Sequence, residues 1–540
     1  MGIALASVLS VYSAAGLPYV ATLLGTVGLV VLLVHRRAAL RRRWLAAGAA
    51  AGAVTALLAA PVIASIADFY RVASVVVDAT APAGDMLGQL AHPLPLLQAG
   101  GIWLDGAYQT PISPSEEAEL VTQVGLWLVA VLALLSLVEI VRRRCPEALL
   151  ALVPALLAAA LVAPRVSPYA DAKLLAIMSS PIVFAAAAGL ATIARVVRPV
   201  GTVAAAALAV VLGGAIVASD GFALHDSRIG PRDRMLALRE VGDRMAGNGS
   251  VLFNEYEEFA KYFAGAADLN VASDSITPLQ VQLRRSDAIF GQYFDIDLQK
   301  LAYVESFENI VMRRSPAASR PPATYRRVFA NRYYEAWSRR AGMRTLVHLP
   351  LQKLDSATAT ASCGALRALV RRARRGSGRL ELVAASLPPV ARLDILDADR
   401  SSGLAADQGV PGAATTIDPG YARGRVRIAR RGTYRVWLRG SFPRDTDVLV
   451  DGRRRMTMRG ANTPGQWLGA VHPLRLTAGV HRVEVRVPGG SPKPGDGAAV
   501  TIGPLAFVAD QPRRLQMVAL SDWRSLCGRQ LDPVELVRRT

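Results

Sequence analysis

The chain has 540 residues and a mass of 57.3 kDa, with 62 Lys and Arg against 42 Asp and Glu, 52% apolar residues and a mean hydropathy of +0.29. That length exceeds one ordinary hydrophobic core, and the positive mean hydropathy excludes a disordered chain. Three cysteines exclude a disulfide-dense mini-scaffold.

A net charge of +20 on a hydrophobic chain requires the charge and the apolar residues to lie in different places. Residues 1–220 hold 13 of the basic and 11 of the acidic residues, a net of +2, which leaves +18 for residues 221–540. The first part is Ala/Leu/Val-rich and contains six apolar runs, at about 17–34, 45–64, 121–141, 148–163, 173–194 and 199–218. Runs of this length span a bilayer, so residues 1–220 are expected to form a polytopic α-helical membrane domain of about six spans, with the lipid bilayer as its first partner.

Short-loop Lys/Arg bias sets the orientation. Arg36-Arg37 with Arg41-Arg42-Arg43, then Arg142-Arg143-Arg144, then Arg195 with Arg198 follow alternate spans and are expected on the cytoplasmic side. The connection 65–120, with Arg71 as its basic residue, and residues 221–540 then face outward. The apolar stretch directly after Met1 reads as the middle of a hydrophobic region, which predicts the C-terminal part of a longer polytopic protein.

In the tail, Met235, Leu238, Val241 and Met245 follow helical spacing over 229–246, with Gly247 and Gly249 as stops. Ser250–Phe253 reads as a strand, Glu255–Phe263 as a helix with Phe259, Tyr262 and Phe263 inward, and Asn309–Met312 as a strand. Pro316–Pro322 reads as a loop, followed by strands at Thr324–Phe329 and Tyr333–Trp337. This mixture predicts a small α/β domain over 221–376, with Arg367–Arg375 as its exit.

From 377 to 540 short alternating runs recur between Gly/Pro/Asp turns, with Asp451-Gly452 as a hairpin signal. They predict an all-β sandwich or jelly roll with a C-terminal extension. Cys363 and Cys527 both fall in the outward part and are expected to form a disulfide; Cys145 is expected as a cytoplasmic thiol.

The chain lacks the familiar phosphate-loop, dinucleotide, zinc-protease and nucleophile-elbow motifs. Asp397-x-Asp399-x-Ser401 lacks the Gly and Glu of a calcium loop. Polar residues at the outer membrane face are more informative: Asp68 and Arg71 after the second run, Trp103 and Asp105 in the outer loop, and Tyr169, Asp171 and Lys173 opening the fifth. They read either as interfacial anchors or as a pocket. In the pocket, Arg71 and Lys173, with Tyr169 and Trp103, hold a lipid phosphate, and Asp68, Asp105 or Asp171 binds sugar hydroxyls or a divalent metal. In the sandwich, Tyr434, Trp437 and Trp467 are candidates for stacking on sugar rings, with core packing as the alternative. Nucleic acid is not expected as a partner of an outward-facing tail.

The alternating spans, the long outer loop, the Ser167-Pro-Tyr-Ala-Asp-Ala-Lys173 stretch and the outer soluble tail resemble the C-terminal half of GT-C superfamily membrane glycosyltransferases. That stretch and Val251-Leu-Phe-Asn-Glu-Tyr-Glu257 are similar to those of large actinobacterial membrane proteins. The tail resembles a carbohydrate-binding jelly roll, as in actinobacterial arabinosyltransferases. The resemblance implies sugar transfer from a polyprenyl-phosphate donor to a cell-envelope glycan or lipid on the outer face. It also implies a carboxylate general base and, in some members, a divalent metal. That superfamily carries its catalytic acid in its first outer loop, which a chain beginning near a later span does not show. The other expected function is a non-catalytic envelope protein whose sandwich binds glycan.

Overall fold

A computed structural model describes residues 46–58, 60, 90, 93–104, 116–143, 167–196, 198–227, 230–256, 259–273, 281–284, 295–351, 360–376, 379–407, 409–460, 465–511 and 513–539. The chain divides into two compact units, Met1–Ser227 and Arg228–Thr540.

Among the described residues, the first unit has a short apolar helix, α1 (Ala46–Leu58), and three helices long and apolar enough to cross a membrane. These are α2 (Glu116–Arg143), α3 (Pro168–Val196) and α4 (Val200–Asp226). Three such helices, rather than six, are thus described. The run at 45–64 coincides with α1, and those at 17–34 and 148–163 lie outside the described residues. Helix α2 opens with Glu116, Glu117 and Glu119 and closes with Arg142 and Arg143, charges that complement the helix dipole. Bulky apolar side chains stay exposed along all three helices, such as Trp127, Phe184 and Val210, as a lipid-facing surface requires. Helices α2 and α3 meet at Gly189, where an added Cβ would lie 2.1 Å from the Leu132 carbonyl oxygen, a close approach of the small-residue kind. Helix α4 runs six residues beyond the boundary expected at 220.

The second unit begins with α5 (Arg232–Met245), which buries Leu238, Val241 and Met245. The strands that follow are β1 (Val251–Tyr256), β2 (Leu269–Ser273), β3 (Asn309–Arg313), β4 (Tyr325–Ala330) and β5 (Tyr334–Arg339). They form one sheet in the order β2-β1-β3-β5-β4, parallel through β2, β1 and β3 and antiparallel beyond. The helix expected over Glu255–Phe263 shrinks to α6 (Ala260–Phe263), because Asn254 to Tyr256 continue β1. Tyr262 is 80% exposed and Phe259 39% exposed, so neither points inward as expected. A short helix α7 (Leu301–Val304) precedes β3. The loop from Pro316 to Thr324 is buried throughout, an uncommon setting for a connection.

Next come β6 (Met343–Leu349), helix α8 (Cys363–Arg374) and β7 (Leu380–Ser386). The expected exit segment is therefore an amphipathic helix, capped by Ser362 through its Oγ, which accepts from the Ala365 N–H. It buries Leu366, Leu369, Val370 and Ala373.

The sandwich strands are β8 (Val390–Leu393), β9 (Asp399–Arg400), β10 (Ala405–Ala406), β11 (Ala414–Thr416), β12 (Gly420–Ile428), β13 (Gly432–Ser441), β14 (Thr446–Val450), β15 (Arg453–Met458), β16 (Trp467–Gly469), β17 (Leu474–Leu476), β18 (Gly479–Val487) and β19 (Val500–Ala509). One sheet is β10-β11-β19-β13-β16, with β8 beside β19 and β17 beside β13; the other is β15-β14-β18-β12-β9. Alternation is clean in β12, where Ala422, Val426 and Ile428 are buried and Arg423, Arg425 and Arg427 are exposed. The β14–β15 hairpin turns at Asp451 (φ 53°) and Gly452 (φ 76°), the two positive φ values of a type I′ turn. Strand β19 is buried along its whole length, so both of its faces are covered.

The last strands, β20 (Leu515–Val518) and β21 (Leu531–Arg539), do not extend the sandwich. They join β6 and β7 in a third sheet, β20-β7-β21-β6. Its face packs on α8 and the turn Leu520–Leu526. Cys363 and Cys527 are disulfide-bonded there, with Cα atoms 4.9 Å apart.

Candidate functional site

Of the residues expected at the outer membrane face, Asp68, Arg71 and Asp105 lie outside the described residues. Tyr169 and Lys173 are brought together one turn apart on α3, the ammonium 4.3 Å from the ring centroid, a cation–π pairing. Asp171 lies in the same first turn. Trp103 is fixed through its backbone, its N–H donating to Ser219 Oγ on α4 at 2.7 Å. Beside it, Ile102 is buried against Leu126, Val129 and Leu132 of α2 and Ala186 of α3. The segment Gly101–Leu104 therefore sits among the helices.

The sandwich aromatics require a correction. Tyr434, Trp437 and Trp467 are 3%, 7% and 4% exposed, so none forms an open sugar-stacking platform. The period-2 split of β13 holds: Tyr434, Val436 and Leu438 face the core between the sheets, while Arg435, Trp437 and Arg439 face the other way. That second face is covered rather than solvated. Trp437 and Trp467 pack with Ala506 and Val508 of β19 and with Ala317 from the buried loop. Period 2 distinguishes the faces of a strand but not which of them meets water.

Where this cover ends, two clefts open, and they share Arg332 and Val471. The smaller, of about 330 Å3, is lined by Arg314, Arg332, Arg435, Trp437, Asn331, Ala330 and Gly469 to Val471. The larger, of about 420 Å3, lies among sandwich loops and the start of α5, and carries Arg232, Asp233, Asp445, Thr457, Arg459, Phe442, Pro443 and Pro494. Both volumes sit at the lower end of ordinary ligand sites, roughly 300–1,000 Å3.

Local sequence explains the shape. Asn331 makes the β4–β5 turn: its Oδ1 accepts from the Tyr333 and Tyr334 N–H groups, at 3.0 and 2.9 Å. Its Nδ2 donates to the Ala237 carbonyl of α5 at 2.9 Å, which fixes the turn that carries Arg332. Arg314 donates to the Asn331 carbonyl at 2.9 Å, its guanidinium 5.9 Å from the Trp437 ring. Burial pushes the Arg314 pKa down, Glu335 opposes that, and Arg435 adds to the lowering. Arg435 donates to the Ala470 carbonyl at 3.0 Å and lies 3.7 Å from Asp510. In the larger cleft Arg459 pairs with Asp496 at 2.9 Å and Asp445 at 3.5 Å. Gly469 leaves room for Trp437, since an added Cβ would lie 2.9 Å from its ring.

A second polar constellation is closed. His348 on β6 contacts Asp297 Oδ1 through Nε2 at 2.6 Å and Glu535 Oε1 of β21 through Nδ1 at 2.5 Å. Asp295 and Asp532 complete it by accepting the Ser319 and Arg320 N–H groups at 2.9 Å each. Glu535 Oε2 accepts the Ala323 N–H at 2.7 Å, and Arg513 reaches Asp532 at 3.1 Å. Burial, augmented by Asp297, raises Asp295 to about 6; burial likewise raises Asp532 to about 7, against Arg513. Burial works to lower the His348 pKa, but Asp297 and Glu535 overcome it and hold it well above the usual value. The cavity beside it, lined by Arg284, Gln299, Pro322 and His348, holds only about 10 Å3, the room of one water. Such perturbed groups attract attention as catalytic candidates, but the described residues give a substrate no room here. The cluster instead satisfies the backbone N–H groups of the buried loop.

Sequence reasoning missed both constellations. Single Arg, Asp and His residues far apart in the chain carry no signature, although the Arg435-x-Trp437 pairing on one strand face was visible. Among the described residues no group of three or more His, Cys, Asp or Glu is arranged to hold a metal.

No known family and no curated protein matches the sequence. Solved structures with a distant likeness include a Podospora anserina GH26-CBM35 β-(1,4)-mannanase, at 16% identity and a TM-score of 0.19 over 24% of this chain and 29% of that one. Another is the CBM36-1 domain of a multidomain xylanase from the hindgut metagenome of Trinervitermes trinervoides, at 13% identity and 0.19 over 23% of this chain and 100% of that one. A family 35 carbohydrate-binding module from Clostridium thermocellum aligns at 14% identity and 0.16 over 24% and 98%. The chain thus spans less than a third of the mannanase it resembles, and likeness at this level assigns no activity.

Proposed function

We propose that this protein is a membrane-anchored, extracytoplasmic carbohydrate-binding protein of the cell envelope, with residues 221–540 as its outward-facing part. The paired clefts carry the reading. Their guanidinium and carboxylate groups supply donors and acceptors for sugar hydroxyls, and Pro443, Pro494 and Val471 supply apolar surface for the carbon faces of a ring. The helices of the first unit supply the anchor. Full-length protein in detergent, passed over a panel of immobilised neutral and acidic oligosaccharides, is expected to retain a subset of them, and Asp445→Ala with Arg459→Ala to weaken retention. Folded protein that retains none removes the reading.

The second reading is sugar transfer from a polyprenyl-phosphate donor to an envelope glycan or lipid. The seating of Gly101–Leu104 among the helices favours it, because it brings outer-loop backbone to the membrane domain. Asp68, Asp105 or Asp171 would act as general base, and Arg71, Trp103, Tyr169 and Lys173 would hold the donor. Asp171→Ala and Lys173→Ala are expected to abolish transfer in membranes supplied with such a donor; unchanged transfer eliminates these two residues from the site.

A further inference from the structure

The smaller cleft differs from the larger one in charge. In the larger, Arg459 is neutralised by Asp445 and Asp496, and Asp233 accompanies Arg232. In the smaller, three guanidiniums line the wall and no carboxylate does. Asp510, 3.7 Å from Arg435, stands outside the lining and is 41% exposed. Glu335 is engaged with Arg327 at 3.5 Å. Arg332 makes no ion pair among the described residues, and its Nε is buried without a hydrogen-bond partner there. A buried donor of that kind favours a ligand that accepts from it.

The three arginines are also held in advance. Arg314 is anchored by the Asn331 carbonyl and Arg435 by the Ala470 carbonyl, while Arg332 rides on the turn that Asn331 fixes to α5. Planar guanidiniums fixed beforehand suit a carboxylate or phosphate, which they bind through paired N–H donors. Trp437 lines the cleft but is 7% exposed, with the Arg314 guanidinium 5.9 Å from its ring, so it backs the wall and leaves the recognition of charge to the arginines.

We propose that Arg314, Arg332 and Arg435 form an anion subsite for a sugar residue bearing a carboxylate or a phosphate. The sugar part rests on the carbohydrate reading above; the anion part does not. Because the two clefts share Arg332 and Val471, the charged residue of a glycan would occupy the smaller cleft while its neighbours run into the larger.

Isothermal titration of the full-length protein in detergent tests this with four probes: glucuronate, glucose 6-phosphate, glucose and inorganic phosphate. Glucuronate, glucose 6-phosphate or both are expected to bind at least about tenfold tighter than glucose, the size of one charge-assisted contact. Their affinity is expected to fall as salt rises from 50 to about 500 mM. Arg332→Gln, which removes the guanidinium and its stacking 5.4 Å from the Tyr333 ring, is expected to weaken binding about tenfold and to lower the melting temperature by a few degrees at most. Arg435→Gln serves as a second variant. Glucose and glucuronate binding alike would overturn the anion subsite while leaving the carbohydrate reading intact. Phosphate binding as tightly as either charged sugar would keep the anion subsite and remove the sugar. Binding to none of the four, or binding unchanged in a folded Arg332→Gln protein, overturns the proposal.

Discussion

The arginine cleft and the His348 cluster are built from the same kinds of side chain in the same unit, yet they stand for opposite solutions to the cost of burying charge. Around His348 charges of opposite sign meet: Asp297 and Glu535 flank the ring, and the Ala323 N–H fills the second Glu535 oxygen, while Asp297 Oδ2 is left without a partner among the described residues. In the cleft the like-charged Arg314, Arg332 and Arg435 gather without a lining carboxylate. A closed set of partners describes a structural device; an open set of one sign describes a place waiting for something of the other sign. Ionisable residues alone therefore do not mark a site. What separates the two is accessible volume, about 10 Å3 against about 330 Å3.

Substitutions sharpen this contrast in order of size. His348→Ala leaves Asp297 and Glu535 buried without their cation, and the second unit is expected to lose about 3–5 kcal/mol, read as a large drop in melting temperature. Cys363→Ser is expected to cost about 2–5 kcal/mol, with reducing agent matching the effect in the parent and adding nothing to the variant. Gly469→Ala forces a methyl group against Trp437 and is expected to cost about 1–3 kcal/mol while disturbing the cleft. Arg332→Gln should shift stability by about 1 kcal/mol or less, the worth of its stacking on the Tyr333 ring, although it is expected to weaken anion binding in the cleft. A His348→Ala protein as stable as the parent, or an Arg332→Gln protein that fails to fold, would reverse the assignment of the two regions.

Acidity offers an independent test. Asp295 and Asp532 have folded pKa values raised to about 6 and about 7, so the folded state holds protons that the unfolded chain releases near 4. The stability they contribute is complete below about pH 4 and is lost as pH rises through 6 to 7. His348 acts in the same direction, its contribution being present below about 6.5 and lost as pH rises through its elevated folded value. Unfolding of the second unit is thus expected to become easier from mildly acidic toward alkaline pH. Glu535→Gln should flatten that profile and Arg332→Gln should leave it unaltered; a stability maximum above pH 8 would contradict the cluster's described protonation.

Local patterns were readable in the sequence to the extent that they act locally. The Asp451-Gly452 turn, the alternation of β12 and β13 and the helical stripe of α5 all have short-range causes, and each lies where expected. What was not readable is long-range. Arg367–Arg375 looked like a linker because nothing in its basic run announces that Leu366, Leu369 and Val370 face a sheet completed by residues 531–539. Trp437 and Trp467 suggested a sugar platform because an outward strand face is usually wet; here Ala317, from a loop more than a hundred residues earlier, covers it, while Tyr434 faces the core between the sheets. The cleft arginines come from β3's end, the β4–β5 turn and β13, and no spacing rule links them.

The place of β21 has a consequence for biosynthesis. This strand inserts between β6 and β7, so a sheet begun near residue 343 stays open at its centre while the entire sandwich is made. Glu535 meets His348 only when that last strand arrives. Until then Asp297 and His348 lack their third member, and the buried loop lacks the carboxylate that receives the Ala323 N–H. A frameshift or stop codon within the codons for β21 would leave the sandwich strands intact yet keep the third sheet from closing. The second unit therefore carries its own length check: its charged core is completed only by translation through β21.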